Sequence, residues 1–598
     1  MMAPEQRTVP APGVRVPEPS RPVLAGAYAR LRRHRRGLLP LLVVLLLAQM
    51  AVAMVTSAVQ QTPTIDEPVY VATATDYLHE HRLRYNPEHP PLGKLLIAAG
   101  VAVADPHYDP SYTGTQGAVG RHLLYESGND PWRLMLWARL PVIALTLLCG
   151  LVVFAFARDL TGAAGGTAAL ALYTFSPDVI AHGSLATLDV PAAGFVLTSV
   201  WLVWRARRRP VLCLPAAGAA LGAAVATKMS ALPAVPVLMV LAAVSVPAAE
   251  RSAAVSWWPR SGRRAAGGGQ RGPAVPAGAG GAVRGAAGGR RRVVAALVGA
   301  GVVVAVAVSV VWLAYLVVDP RLRFSPVEPV PAVAGLRGRL AGLLPVPPAY
   351  RAGMGMQFAL EERPWQGFLF GHLYTGSLWY YLPAALLVKT PLALLALGAA
   401  GAVAVVARRR LRSAAPYLLV PPAVLLAAAM TGARDFGTRY AVFVPMFLAV
   451  AAACAVTVRL RGSRLLAAAL VACAAVSSLR AFPYYLPYAN EAFGGPAHTH
   501  RLLHDSNVDW GQDLGRLADR LRDRYPGERV WLVYKGSGVP SYYGIRAADP
   551  RTVPPDRVHG LLVVSDSAVA KARGRLAGLI ASSRPVGEVG RSISLYRR

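Results

Sequence analysis

"LRRHRRGLLPLLVVLLLAQMAVAMVTSAV", Leu31 to Val59, decides what kind of chain this is. Four arginines and a histidine stand directly before an apolar run from about Leu38 to Val59. That run has the length of about twenty residues that a helix needs to cross a hydrocarbon core. A cleaved signal peptide also begins with a basic cluster, but its apolar core is shorter. The stretch reads as a first membrane span whose basic flank faces the cytoplasm.

Working outward, further apolar runs lie at about 134–157, 163–180, 188–204, 211–228, 230–248, 293–318, 385–407, 414–431, 440–458 and 463–481. With the first they make about eleven spans; the run 92–104 is too short to count. The 598 residues are 54% hydrophobic, which excludes an ordinary soluble protein. The formal charge of +32 invites a nucleic-acid reading. The basic residues, however, fall in short clusters between apolar runs and not along a groove, so no nucleic-acid partner is expected. Cys149, Cys213, Cys454 and Cys473 all sit inside apolar runs, without the spacing of a metal site or a disulfide framework.

The basic clusters test the threading. With "RRHRR" cytoplasmic, alternation puts "WRARRRP" (204–210), the Gly/Arg-rich stretch 250–292, "ARRRLRS" (407–413) and "VRLRGSR" (458–464) on that same side. Everything between them falls outside: the loop 60–133, the turn near 181–187, the loop 319–380, "TGARDFGTRY" and the tail after 481. Residues 1–37 form a basic tail without periodicity, expected to be disordered. Residues 38–481 form the membrane domain, with an outer loop at 60–133 and a flexible cytosolic loop at 250–292. Residues 482–598 read as a small α/β domain outside the membrane. There "RVWLVYKG", "GLLVVSDS" and "SISLYRR" suit strands and 511–525 suits a helix. The expected fold class is mainly α, a polytopic membrane helical bundle with a small α/β C-terminal outer domain.

Ionisable residues gather at the outer helix mouths. "TIDEPVYVATATDYL" (64–78) places Asp66 beside Glu67, and Thr64-x-x-Glu67 fits a capping box for the helix that follows. "RYNPEHPPLGKLL" (84–96) presents Glu88 and His89 on a turn stiffened by Pro90-Pro91. Arg139 lies in the second span near its outer end, where it either snorkels or binds a phosphate. Asp189 and Lys228 stand at further mouths, as a helix cap and a snorkelling cation or as site residues. Arg434, Asp435 and Arg439 share one outer turn. Boundary charges of this kind are costly to place in a membrane and mark functional sites.

"DEPVY…NPEHPPLGKLLIA" resembles the first outer loop of protein O-mannosyltransferases and the related aminoarabinose transferases, glycosyltransferase family 39 of the GT-C class. "ARLPVIALTLLCGLVVF" and "LATLDVPAAGFVL" extend the resemblance. "LWYYLPAALLVKTPLAL" (378–394) and "NEAFGGPAHTHRLLHDSNVDWGQDLGRL" (490–517) resemble segments of a narrower bacterial subgroup. The resemblance implies transfer of a sugar, a hexose such as mannose, from a polyprenyl-phosphate donor to a protein, lipid or glycan hydroxyl. It implies that Asp66 is the catalytic base and that Glu67 positions the base or the acceptor. Glu88 and His89 would contact donor or acceptor near the carrier phosphate. Arg139 matches an important arginine of the second span, and Asp189 a further acid of the cavity. It assigns no role to SNVDWGQDL. The loop 319–380 lacks the β-trefoil repeats of eukaryotic mannosyltransferases, so acceptor identity does not carry over.

The mechanism that fits is direct displacement with inversion. Arg139, with His89, Lys94 or Arg434 nearby, would balance the leaving phosphate, Arg439 is a further substrate-binding candidate, and Asp66 would take the acceptor proton. No cofactor is required by any spacing, although Asp66, Glu67 and Asp189 could together hold a divalent cation. The expected location is the plasma membrane of a bacterium, with the active site extracytoplasmic. A transporter or flippase of lipid-linked sugars, or a non-catalytic envelope assembly protein, would share many of these features.

Overall fold

The computed structural model describes residues 21–256, 280–333, 335–457 and 462–598. All eleven predicted runs lie on helices. Among the described residues seven helices are long and apolar enough to cross a membrane alone, with an eighth if one bent pair is taken as a single span. The remaining three runs are shorter or more polar than expected. Residues 163–180 break into Ala163–Thr174 and Pro177–Gly183 at Pro177. Phe443–Ala455 has 13 residues, and Asp189–Ala206 carries Asp189 and Arg205 at its two ends.

Two predicted boundaries move. The first helix begins at Arg21, inside the expected tail, because Ala, Leu and Arg there are good helix formers; residues 1–20 lie outside the described residues. Of the expected loop 250–292, residues 257–279 lie outside the described residues, and both flanks continue adjacent helices, which run to Ser256 and from Gly280.

Small residues let the helices approach closely. A Cβ on Gly218 or Gly222 would stand 2.7 or 2.6 Å from the carbonyl oxygens of Val303 and Ala307. Large apolar side chains such as Leu41, Val44, Val52, Val240, Leu297 and Leu465 remain exposed on the outer faces. This is the surface of a multi-span membrane protein.

Pro391 separates Tyr381–Lys389 from Leu392–Ala407, and the two are bent by 116°. The break frees carbonyls that would otherwise be bonded along the helix. Asn490 Nδ2 donates to Leu387 O at 2.6 Å and to Thr390 O at 2.9 Å, and the Asn490 amide donates to Val388 O. Lys389 is fully buried and donates from Nζ to Leu486 O and Asn507 O. The two subgroup segments, around 378–394 and 490–517, thus pack on each other.

Short strands follow. β1 (Gln366–Leu369) and β2 (His372–Thr375) form an antiparallel hairpin. The tail holds β3 (Val530–Val533), β4 (Ala547–Ala548), β5 (Leu561–Ser565), β6 (Arg584–Val589) and β7 (Ile593–Arg597) in the order β4-β3-β5-β7-β6. β3, β4 and β5 run parallel; β7 is antiparallel to β5 and β6. The three predicted strand segments become β3, β5 and β7. The predicted helix spans Leu514–Arg524 and buries Leu514, Leu517 and Leu521 against the sheet. β4 and β6 were not anticipated: β4 has two residues, and β6 opens Arg-Pro and stays exposed until Val589.

Candidate active site

Helix Glu67–His79 starts with Asp66 at its N-cap, without a side-chain capping bond. Thr64 is therefore not the cap. Instead Glu67 turns back, and its Oε2 accepts from the Thr64 amide at 2.9 Å and from Thr64 Oγ1 at 3.0 Å. Arg139 meets it in a fork, Nε to Oε1 at 2.8 Å and Nη2 to Oε2 at 2.7 Å. The remaining Arg139 donors go to the carbonyls of Ala58, Gln61 and Thr62. Both side chains are fully buried. Burial alone would raise the Glu67 carboxyl; the Arg139 charge and the hydrogen bonds from Arg139, Thr64 and Ala186 override it and hold it below its ordinary value. All of these partners stabilise the pair inside the protein, and neither residue lines the cavity described next. The fork closes the end of the first span onto the second and onto Glu67.

Asp66 has the opposite setting. It lines a cavity of about 1050 Å³ together with Glu88, His89, Asp189, Lys228, Arg434 and Arg439. Seven of the predicted residues thus meet, from five separate stretches of chain. Arg439 Nη1 donates to Asp66 Oδ2 at 2.5 Å. Asp66 Oδ1 has no hydrogen-bond partner among the described residues. Lys228 pairs with Asp189 and lies 5.0 Å from the centre of the Tyr440 ring. Arg434 Nε donates to Glu361 Oε1 at 2.8 Å, and its Nη2 to Gln357 Oε1 at 2.6 Å. Gln357 Nε2 in turn donates to the Glu88 carbonyl. Ala192, Val196, Leu425 and Phe443 give the cavity an apolar wall.

On the proline turn, Pro90 and Pro91 begin the helix Pro91–Ala104, as proline in a first turn can. Lys94 does not reach the cavity. Its Nζ donates to Asn86 O at 2.8 Å and to His89 O at 2.6 Å, so it braces the turn from beneath. His89 is half-buried, and desolvation followed by the nearby Lys228 and Lys94 charges keeps its pKa well below the ordinary value. It enters the cavity as a neutral imidazole. Glu88 Oε1 accepts from Gln116 Nε2 at 3.1 Å, and its Oε2 has no partner among the described residues.

The three acids suggested for a divalent ion do not converge. Arg439 engages Asp66, Arg139 engages Glu67 and Lys228 engages Asp189. Among the described residues no group of three metal-ligating side chains comes together.

The tail supplies residues that sequence reasoning missed. Asp505, Trp510, Lys535 and Lys571 all line the cavity. Lys535 pairs with Asp505. Lys571 has no carboxylate partner among the described residues and stands 5.7 Å from the Phe436 ring centre. A signal was available. The chain has only five lysines, Lys94, Lys228, Lys389, Lys535 and Lys571, and arginine supplies the rest of its basic residues. Two are fully buried and three line the cavity. Where arginine is the default cation, a retained lysine marks a place for a compact ammonium.

These features define a class: a multi-span helical membrane protein with a charged cavity closed by a small sheet domain. Residues 43–249, which carry Asp66, Glu88, His89 and Asp189, match the family model for dolichyl-phosphate-mannose-protein mannosyltransferase. The match is confined to that segment and agrees with the family 39 resemblance of the first outer loop. Nothing among curated proteins matches the chain. Solved structures similar to it include ArnT from Cupriavidus metallidurans bound to undecaprenyl phosphate, 16% identical, covering 92% of this chain and 97% of that one, TM-score 0.45. The Archaeoglobus fulgidus oligosaccharyltransferase in its apo form is 14% identical over 91% of this chain and 73% of its own, TM-score 0.41. The S. cerevisiae Pmt1-Pmt2 complex bound to the sugar donor is 15% identical over 47% and 34%, TM-score 0.33.

Proposed function

We propose that this chain transfers a sugar, a hexose such as mannose, from a polyprenyl-phosphate donor to an acceptor hydroxyl. The observation that carries the reading is Asp66: one oxygen held by Arg439, the other without a partner among the described residues, at the wall of a charged cavity with an apolar side. The acceptor O–H gives its proton to Asp66 Oδ1 as its oxygen attacks the anomeric carbon. The bond from that carbon to the phosphate oxygen breaks, and its electron pair leaves on the phosphate. Direct displacement inverts the anomeric centre and leaves no sugar on the protein. Lys228, Arg434 and Lys571 supply cations for the leaving phosphate. This role moves to them from Arg139 and Lys94, whose donors are spent on Glu67 and on carbonyls. The apolar wall suits the first isoprene units of the carrier. The step as written draws on the cavity's cations, and Asp66, Glu67 and Asp189 each face one.

The basic-cluster threading supports an extracytoplasmic site in a bacterial plasma membrane, with the tail domain on the same side. The acceptor is a hydroxyl on a protein, lipid or glycan of the envelope. The test is mass spectrometry of envelope proteins, lipids and polysaccharides from cells with the wild-type chain, with Asp66→Asn and with neither. The reading expects one glycosylated product in the first case alone. Normal product with Asp66→Asn removes Asp66 as base. Movement of lipid-linked sugar across the membrane without any covalent product would make the chain a transporter.

A further inference from the structure

The segment "DSNVDWGQDL", Asp505–Leu514, touches Arg439 and the strip of chain that leads into Asp66. Its first half holds the turn that carries Arg439. The Ser506 amide and Oγ both donate to Phe436 O, at 3.1 and 2.7 Å. Asn507 Oδ1 accepts from the Thr438 amide at 3.1 Å. Gly437, between them, has φ 154°, and a Cβ there would stand 2.2 Å from Ser506 Oγ. Asn507 Nδ2 donates to Tyr381 Oη, and Asn507 O accepts from Lys389, which anchors this half on the bent membrane helices.

The second half holds the strip of chain before Asp66. The Ile65 amide donates to Trp510 O at 3.1 Å and the Thr62 amide to Gln512 O at 3.0 Å. Thr62 Oγ1 donates to Gly511 O at 3.0 Å and accepts from the Leu514 amide at 3.2 Å. Between the halves, the buried Trp510 ring lies 4.4 Å from the Arg439 guanidinium carbon. A guanidinium on an indole face is held in plane and in place. The turn itself is tied by the Gln512 side chain, which accepts from the Trp510 amide and donates to Val508 O.

We propose that this segment is a positioning device for the transfer step: Trp510 and its neighbours fix Arg439 and residues 62–65 relative to each other, and thereby aim the free oxygen of Asp66. The inference rests on Asp66 acting as base. It also gives the outer domain a task in catalysis, since the strip before Asp66 is bonded to the tail. Ser537, in the loop after β3, adds a further bond from its Oγ to Thr64 O at 2.9 Å.

The experiment uses native membranes carrying the full chain, with donor and acceptor pools labelled metabolically with radioactive glucose. Passage of label from lipid-linked sugar to envelope product is followed at several donor levels. Trp510→Ala should lower the maximal rate about 100-fold, the size of effect a misplaced catalytic group produces, with half-saturation by donor unchanged. Trp510→Phe, which keeps a ring face for Arg439, should recover the rate to within about tenfold of wild type. Thr62→Val keeps the shape, removes two of the bonds and should fall between them. If Trp510→Ala and Thr62→Val both run at wild-type rate while Asp66→Asn is silent, the positioning role is overturned and the base assignment stands. Equal loss in Trp510→Ala and Trp510→Phe with weakened donor saturation also overturns it, making Trp510 a donor contact. Full transfer by Asp66→Asn removes the base assignment and the positioning role together.

Discussion

Asp66 and Glu67 are neighbours in the chain and opposites in their surroundings. Glu67 is sealed, with both oxygens committed to Arg139, Thr64 and Ala186. Asp66 stands at the cavity wall with one oxygen engaged and one free. The difference comes from helix geometry: successive side chains at the start of Glu67–His79 point about 100° apart, so one enters the bundle and the other the cavity. A paired acid motif thus sets a sealed ion pair beside the proposed base, whose carboxylate lines the cavity.

The sharpest way to break this comparison is to neutralise each acid in turn. Asp66→Asn should lower transfer by about 10²–10⁴ with an unchanged melting midpoint in detergent. Glu67→Ala should do the reverse of a clean catalytic lesion. It leaves the Arg139 charge buried and unpaired, which costs about 3–5 kcal/mol, so protein yield and midpoint should both fall. If Glu67→Ala melts like wild type and only loses activity, the sealed pair is catalytic after all.

What was legible in the sequence follows the same divide. Span positions and cavity-lining residues at helix mouths were readable, because charge beside an apolar run is conspicuous whatever its partner. The partners were not. Arg439 and Asp66 are 373 positions apart, and no local pattern encodes which cation meets which acid. Arg139 and Lys94 looked like phosphate ligands because their sequence context shows a charge near the membrane and hides the carbonyls that absorb it. Span length was overcounted where a kink divides an apolar run, as at Pro177. SNVDWGQDL was visible as a motif, but its role depends on residues 62–65 and 436–439, far away in the chain.

A second contrast lies inside the tail. Asp505 is buried beside Lys535, and although burial would raise it, the Lys535 charge brings it down to about 2. Asp509 is equally buried, and burial pushes it up to about 7 against an ordinary 3.8. It accepts from the Gly511 and Ser567 amides and so shapes the turn that bears Trp510. Between pH 4 and 7 the folded chain keeps the Asp509 proton and the unfolded chain has lost it. Stability should therefore fall as pH rises through that window and level off above about 7. Thermal scans of wild type and Asp509→Asn check this: the neutral variant should lose part of the slope and melt higher at pH 7. A wild-type midpoint that climbs from pH 5 to 7, with an unchanged slope in the variant, would contradict it.

The smallest expected effect concerns the cavity cations. Lys228, Arg434, Arg439 and Lys535 each face a carboxylate, and Lys571 does not. Burial, reinforced by Lys535 nearby, pulls the Lys571 ammonium down to about 8. An anionic group entering the cavity is attracted to the protonated form, so donor half-saturation should weaken as pH rises through about 8. Lys571→Gln removes the charge at every pH. It should weaken donor saturation several-fold at pH 7, as loss of one partly solvated charge contact does, and abolish the change through pH 8. Measuring donor saturation at pH 7 and pH 9 in both proteins separates the two contributions. Identical pH responses would mean that the charge felt by the donor comes from the paired cations. The cavity would then bind its anion by displacing an existing carboxylate rather than by using the cation left over.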